Sequence, residues 1–506
     1  MDMSHNEAYS TYFGDIHNHN MIGYAQGTLR RSYEIARNHL DFYAFTPHAY
    51  WPDVNPFVDP DSKGAENKWI NGFAVTKQRW QEVIETAKEF DDPGTFPVIA
   101  GYEIHFGPEG DHHILFPDLD AELALFDDFG EFQDFARRRG CILVPHHPAN
   151  RKGHRGAAFE YRDPELSPVL EMFSEWGCAE HDRAPYPYKR HTEGGRWTGN
   201  TAQALLADGH RFGFIASTDQ HLGYPGAFRE GLAAIKATEL TREALMDSIR
   251  NRRTYAVTGD RIDVDFSING HMMGQELPYT PEREVQVSVT GWDQIDRVEV
   301  LKNNRVIYRE FPADREPSRD SWNDPVLIRF EYGWGVWPAL GWERTADWDI
   351  RLKMQDARLI DIKPCFTGGP LDEDRRDRIV SWDSDGAHVV SYTALKQTVD
   401  DFSQKAVVMR IEGGPESTLN AALSAPTDAT ISLRFADLAR SNEAFYTRPF
   451  PWESAMIQRV VFKEHYQTSF RIQDRGDGTE ADWYYVRVVQ ANEHMAWSSP
   501  IWVNSR

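Results

Sequence analysis

The chain has 506 residues, 41% of them hydrophobic, and a formal net charge of −23. That length points to at least two domains, and the acidity argues against a nucleic-acid surface, which needs a basic stripe; a small anionic substrate in a metal-loaded pocket stays compatible with it. Three cysteines without a CxxC pair, no long apolar run and no signal-like N-terminus argue against disulfides, thiolate zinc, a membrane span and export, so a cytoplasmic setting is expected.

The stretch "GDIHNHN" (14–20) sets His17 and His19 one residue apart. Alternate residues of a strand face the same way, so two imidazoles would converge on one point. That suits a divalent metal. Up to about residue 258, short apolar runs alternate with helical stretches. "DFYAFTPH" (41–48) reads as a strand, "TKQRWQEVIETAKEF" (76–90) as a helix and "FPVIAGYEI" (96–104) as a buried strand. "FGEFQDFARRRG" (129–140) reads as a helix ended by Gly140. "CILVPHHPA" (141–149) and "FGFIASTDQH" (212–221) read as strands, with a helix in "GNTAQALLADGH" (199–210) between them. "TREALMDSIRNRRTYAV" (241–257) is a last helix leading into a strand. Such alternation indicates parallel βα units.

From residue 259 the pattern changes. "IDVDFSING", "VQVSVTG", "RVEVLKNNRVIYREF" and "ADWYYVRVVQ" alternate with period two, and "KNNR" has the character of a hairpin turn. This half, 259–506, reads as an all-β, sandwich-like unit. Its clustered Trp334, Trp337, Trp342 and Trp348 read as core or interface packing.

Fifteen of the 19 histidines fall within residues 1–221. Several sit where predicted strands end: His17 and His19, His48, His112 and His113, His146 and His147, and His221. Glu103 and Asp219 occupy similar places. Strand C-terminal ends converge on one face of a parallel barrel, where chemistry is done. Packing alone does not explain this chemistry at five strand ends. A Ser-His-Asp triad needs one base, and no GxSxG, Walker A or strand-linked GxGxxG is present. Nitrogen and carboxylate donors together suit zinc, manganese or iron.

These motifs resemble, in chain order, those of the PHP family, named for polymerase and histidinol phosphatase. "GDIHNH", "DFYAFTPH", "GYE", "HHILF", "PHHP" and "STDQH" carry the resemblance over roughly residues 12–226. "FSINGHMMGQE" and "YYVRVVQANEHMAWSSPIWV" resemble a branch with a β-rich extension of unknown function. The resemblance implies a distorted (β/α)7 barrel over 1–258 followed by a β-rich domain over 259–506. It implies metal-dependent hydrolysis of a small phosphodiester or phosphomonoester by a metal-bridging hydroxide. His17, His19, Glu103 and Asp219 would hold one metal, and Glu103, His113 and His147 a second. Asp219 would also relay a proton.

The family's third metal uses the positions of His48 and His221 together with an acid or histidine after the first motif. Here that position falls at Tyr24 or Ala25, and Pro47 stands where the family has aspartate. Two tightly held metals are therefore expected, with the third site weak or empty and His48 and His221 serving as catalytic groups. Arg151, Lys152, His154 and Arg155 form one basic segment, and Lys189, Arg190, His191 and Arg196 another. Their arginines and lysines, with His146, are candidates for holding substrate. Glu171 reads as a strand-end residue near the site or a structural one. Two rival readings remain: an amide or lactone hydrolase on the same site, and a non-catalytic metal- or ligand-binding protein. The β-rich half would cover the barrel or join subunits of a homo-oligomer.

Overall fold

The computed structural model describes residues 9–52, 63–189, 194–335, 344–368, 374–395 and 404–506. Its first half runs β1 (Ser10–Asp15), α1 (Leu29–His39), β2 (Phe42–Phe45), β3 (His48–Tyr50), α2 (Lys63–Phe90), β4 (Val98–Ile104), β5 (His112–Leu115), α3 (Phe129–Arg139) and β6 (Ile142–Pro145). It continues with β7 (Val169–Ser174), β8 (Gly177–Cys178), α4 (Ala202–Ala207), β9 (Gly213–Ala216), β10 (Leu232–Ala237), α5 (Arg242–Arg250) and β11 (Thr254–Val257).

The apolar runs become strands because β2, β4, β5, β6 and β9 are buried along their whole length. β1, β2 and β4 lie side by side in parallel. Gly14 permits this approach: a Cβ there would meet the Phe42 ring at 2.5 Å. The predicted helix end also forms. Asp128 accepts from the Glu131 N–H at 2.9 Å to open α3, and Gly140 closes it at φ 67°.

Register then does the positioning. His48 pairs with Glu103 across β3 and β4, and Glu103 pairs with His113 across β4 and β5. Directly opposed residues share a face of the sheet, so one row carries all three side chains.

The expected run of parallel βα units is corrected by the pairing. β5 is antiparallel to both β4 and β6, and β10 is antiparallel to β1. β7, β8 and β9 make a three-stranded sheet of their own. The result is a mixed, strand-rich α/β structure with several sheets and few helices.

The second half is strand-rich too, and one sheet joins it to the first. β11 pairs with Met495–Ser498, which pairs with Asp482–Gln490. The hairpin Ile295–Lys302/Arg305–Glu310 turns at Asn303 and Asn304, both left-handed at φ 50° and 64°, as "KNNR" predicts. Buried polar groups add to the junction. The Glu180 carboxylate accepts from the Tyr485 hydroxyl at 2.7 Å, Arg487 at 2.8 Å and the Trp497 indole N–H at 2.9 Å. Within the second half, Arg329 donates to both oxygens of Asp260, at 3.0 and 2.8 Å. Trp348 is buried in the second half and Trp334 is exposed, whereas Trp337 and Trp342 lie outside the described residues. Among the described residues no helix is long and apolar enough to cross a membrane.

Residues 1–258 expressed alone are expected to aggregate, because β11 would lose its partner strand and leave an unpaired edge. A soluble, monodisperse fragment in size-exclusion chromatography would contradict this.

His39 makes stability depend on pH. Its Nε2–H donates to the Pro225 carbonyl at 2.8 Å, and burial holds its pKa down at about 4. The unfolded chain takes up that proton near pH 6.5, so stability is complete above about 6.5 and falls as pH drops towards about 4. This one group accounts for on the order of 3 kcal/mol at the acid end. In His39→Gln, the loss of urea midpoint between about pH 7 and pH 4.5 is expected to shrink relative to the unsubstituted chain; equal losses would refute the assignment.

Candidate metal centre

The first motif is held to the last by Asp15, at the end of β1. Its carboxylate accepts from the His17 N–H at 3.2 Å, the Thr218 N–H at 3.1 Å, the Thr218 hydroxyl at 2.6 Å and the Gly226 N–H at 2.9 Å. The backbone continues the tie, with Asp219 N–H donating to the His17 carbonyl at 2.6 Å and His19 N–H to the Gln220 carbonyl at 2.9 Å. His17, His19 and Asp219 are thereby brought together from opposite ends of the half. Asp219 and His147 hold left-handed backbone at φ 51° and 45°, a conformation non-glycine residues rarely keep outside functional sites.

Two carboxylates are the hubs. Asp219 Oδ1 lies 2.8 Å from His19 Nε2 and 3.5 Å from His17 Nε2, while its Oδ2 lies 2.8 Å from His147 Nε2. Glu103 Oε2 lies 2.6 Å from His48 Nδ1 and 3.4 Å from His19 Nε2. Its Oε1 lies 2.7 Å from His146 Nε2 and 3.4 Å from His105 Nε2. His48 Nε2 and His221 Nε2 face one another at 3.0 Å. Five overlapping triads have donor atoms within 4.8 Å of one another: His17/His113/His146, His19/His48/His221, His17/His19/Asp219, His48/Glu103/His105 and His146/His147/Asp219.

The donors fit divalent ions. Among the described residues, His17 Nε2, both ring nitrogens of His113 and His146 Nδ1 are buried without a hydrogen-bond partner. Buried polar atoms are costly unless something satisfies them, and these three histidines make up one of the triads. Burial drives the imidazoles of His48 and His113 well below their ordinary pKa, and that of His19 to about 3, which leaves the neutral form that binds metal. His17 goes the other way. Burial alone would depress it, but Asp219 and Glu171 outweigh that and raise it. Excess buried negative charge around His17 favours a cation.

Outer carboxylates aim the rings. Glu171 Oε2 is 3.0 Å from His17 Nδ1 and accepts from the Ser217 hydroxyl at 2.6 Å. Asp111 Oδ2 is 3.1 Å from His105 Nδ1, and Arg155 donates to Asp111 at 2.9 Å. In both cases Nδ1 is engaged and Nε2 is left to face the cluster.

All eight anticipated ligands, His17, His19, His48, Glu103, His113, His147, Asp219 and His221, lie in the cluster. His146, anticipated for substrate, sits among them as a donor. His112 points elsewhere, with its Nδ1 on the Gly110 carbonyl at 2.8 Å. The Tyr24 ring stacks on His48 at 3.9 Å, and burial raises the pKa of its hydroxyl well above the ordinary value. His105 was missed, although "EIH" repeats the one-residue spacing of "HNH". Asp111 had no such signal.

The basic segments divide. Arg155 lies beside the cluster, with its guanidinium 3.5 Å from the Trp51 ring centroid. Lys189 pairs with Glu175 at 3.1 Å, and Glu175 is 4.0 Å from His221 Nδ1. Arg196 donates to the carbonyls of Cys178, Ala184 and Pro185. Lys152 pairs with Glu160, and Arg151 is exposed. Arg190 and His191 lie outside the described residues.

A protein family of unknown function (DUF3604) matches residues 227–279. An uncharacterised protein of Chlamydia pneumoniae is 27% identical over 273 residues, covering 49% of this chain and 43% of its own length. One from Chlamydia muridarum is 26% identical over 264 residues, covering 47% and 42%. The chain thus spans less than half the length of these curated relatives. Among solved structures, a two-domain Bacteroides vulgatus protein containing a predicted PHP-like metal-dependent phosphoesterase is similar at 13% identity and TM-score 0.32, covering 84% of this chain and 96% of that one. Endonuclease Q, in complex with a 27-mer duplex substrate with an abasic lesion at the active site, is similar at 13% identity and TM-score 0.29, covering 48% and 57%. At these TM-scores neither likeness bears on what this chain does. The exclusion of nucleic acid as a partner, drawn from net charge, is withdrawn: a protein in complex with a duplex substrate is among the similar structures. Charge summed over 506 residues does not describe the potential at one cleft.

Glu171→Gln removes the charge behind His17 and keeps the shape. Metal affinity, titrated against a chromophoric chelator, is expected to fall about 10–100-fold; unchanged affinity would mean that Glu171 does not support a ligand.

Proposed function

We propose that the chain is a metal-dependent hydrolase of phosphate esters, of the kind its motifs resemble. The observation that carries this is the convergence of buried imidazoles on Glu103 and Asp219, with unpartnered ring nitrogens on His17, His113 and His146, which form one triad. In this reading residues 1–258 are the catalytic unit, built as a distorted (β/α)7 barrel, and residues 259–506 are a β-rich unit that covers it.

His17, His19, Glu103 and Asp219 would hold one ion, and Glu103 with His113, His146 and His147 a second. His19, His48 and His221 would hold a weaker third, and His105 faces the other ring nitrogen of His48. Such ions, as manganese, zinc or iron, supply a nucleophile from water near neutral pH and stabilise developing negative charge. The chain's own groups do the rest. Glu171 and Asp111 hold ring orientation. His221 donates its Nδ1–H to the Asp219 carbonyl at 3.0 Å, which leaves Nε2 to accept or return a proton at the leaving oxygen. Arg155, beside the cluster, is the cation that would favour an anionic phosphoryl group over an amide or lactone carbonyl.

Purified protein loaded with manganese or zinc is expected to turn over phosphomonoesters or phosphodiesters and to spare amides and lactones. His17→Ala and Asp219→Asn should each lower kcat/KM by more than the roughly 10–100-fold typical of outer-shell changes. Turnover of amides or lactones alone would move the assignment to carbonyl chemistry. Full turnover in folded, metal-depleted ligand variants would end it.

A further inference from the structure

Among the described residues, the cluster is most exposed along one edge. The side chains of His17, His19, His48, Glu103, His146 and Asp219 are at most 3% exposed, whereas those of His147 and His221 are 16% and 27% exposed. That open edge is bordered by the Trp176 ring, 5.6 Å from His147 and 6.0 Å from His221 between centroids. Trp176 also lines a cavity of about 890 Å³ between the two halves of the chain. This volume lies in the range of pockets that bury a whole small molecule.

The lining is aromatic and polar together. Trp176, Tyr186 and Phe228 are half-buried rings on the first half's side. Lys189 contributes a cation, but Glu175 already faces it at 3.1 Å. The lining also holds Arg229 and Lys405 against Glu230 and Glu493, so cations and carboxylates are balanced and the cavity does not select for net charge in the part of a ligand it surrounds.

Backbone conformation marks the same place. Tyr186, Arg229 and Glu493 all line this cavity, and all hold left-handed backbone, at φ 54°, 79° and 72°. Glycine would adopt these angles without penalty. Long polar side chains at three such positions mean that the side chains themselves are wanted there. Two of the three are tied across the halves, since the Tyr186 hydroxyl donates to the Glu493 carbonyl at 2.6 Å. A guanidinium and a carboxylate there can recognise acceptors and donors on one ligand, while rings offer faces for stacking.

We propose that this cavity binds the non-reacting body of the substrate, and that the body is an uncharged planar aromatic ring bearing hydrogen-bonding substituents. The proposal rests on the hydrolase reading only in calling the ligand a substrate; ring binding itself needs no metal. The reacting phosphoryl group would sit at the His147–His221 edge, with the ring lying over Trp176 towards Tyr186 and Arg229.

The probe is 4-hydroxybenzamide, a neutral ring with donors and acceptors, titrated by calorimetry into the full chain with and without chelator. Saturable binding is expected in both conditions. Tyr186→Ala, which removes a wall, and Ala394→Trp, which fills space from the strand Gly386–Leu395, should each weaken it about tenfold. Unfolding midpoints identify a variant that fails to fold, in which case the other decides. In a second arm, phenylphosphonate should displace methylphosphonate from metal-loaded protein at about a tenth of its concentration. No saturable ring binding, or equal binding in both folded variants, overturns the proposal even if phosphate esters are hydrolysed. Ring binding without ester turnover would sink the hydrolase reading and leave this site standing.

Discussion

The centre depends on one buried carboxylate that is not placed to bind metal. Asp15 accepts hydrogen bonds from the backbone of His17, Thr218 and Gly226 and from the Thr218 hydroxyl, and so joins the first motif to the last. Burial pushes its pKa up to about 6 although all four bonds pull the other way. A group so desolvated is tolerated only because every donor is in place. Together with the backbone bonds from Asp219 to His17 and from His19 to Gln220, it fixes the relation of two segments far apart in sequence.

From that anchor the logic runs outward. Glu103 reaches the cluster through strand register, in the row His48–Glu103–His113. His105 and His17 are each turned by a carboxylate on Nδ1. The arrangement gathers negative charge from Glu103, Glu171 and Asp219 in a dry place, where charge without a counterpart is expensive. Ring nitrogens and a cation resolve that conflict together.

The second half reaches into this logic through the loop that carries His221. Gln220 donates to the Gly368 carbonyl at 3.4 Å, and the Tyr224 hydroxyl donates to Asp377 at 2.7 Å. Asp377 in turn accepts from Lys405 through both carboxylate oxygens at 2.8 Å. The loop is therefore braced from behind by strands distant in sequence, while one continuous sheet runs from β1 through β10 and β11 to the last strands. A one-residue slip in that sheet would turn its buried face outward, so the two halves share a register.

Local chemistry was legible in the residues themselves. The spacing of His17 and His19, the histidines and acids at strand ends, Gly140 after its helix and the Asn303–Asn304 turn all follow from rules that act within a few residues. The same spacing rule covers Glu103 and His105, so that ligand was within reach of the sequence. The direction of the strands was not, because hydrophobic runs look alike in parallel and antiparallel pairs. Nor could the sequence separate His113 from His112, or show that His146 and His147 both face the cluster; that needs the register of β5 and β6 and the left-handed turn at His147. Asp111 and Glu171 became supports only through ring contacts made across the fold. What the sequence determined by itself is the set of donors, because side-chain chemistry is local. Which of them meet, and behind which wall, was decided by tertiary structure, because those contacts join residues whose separation along the chain carries no signal.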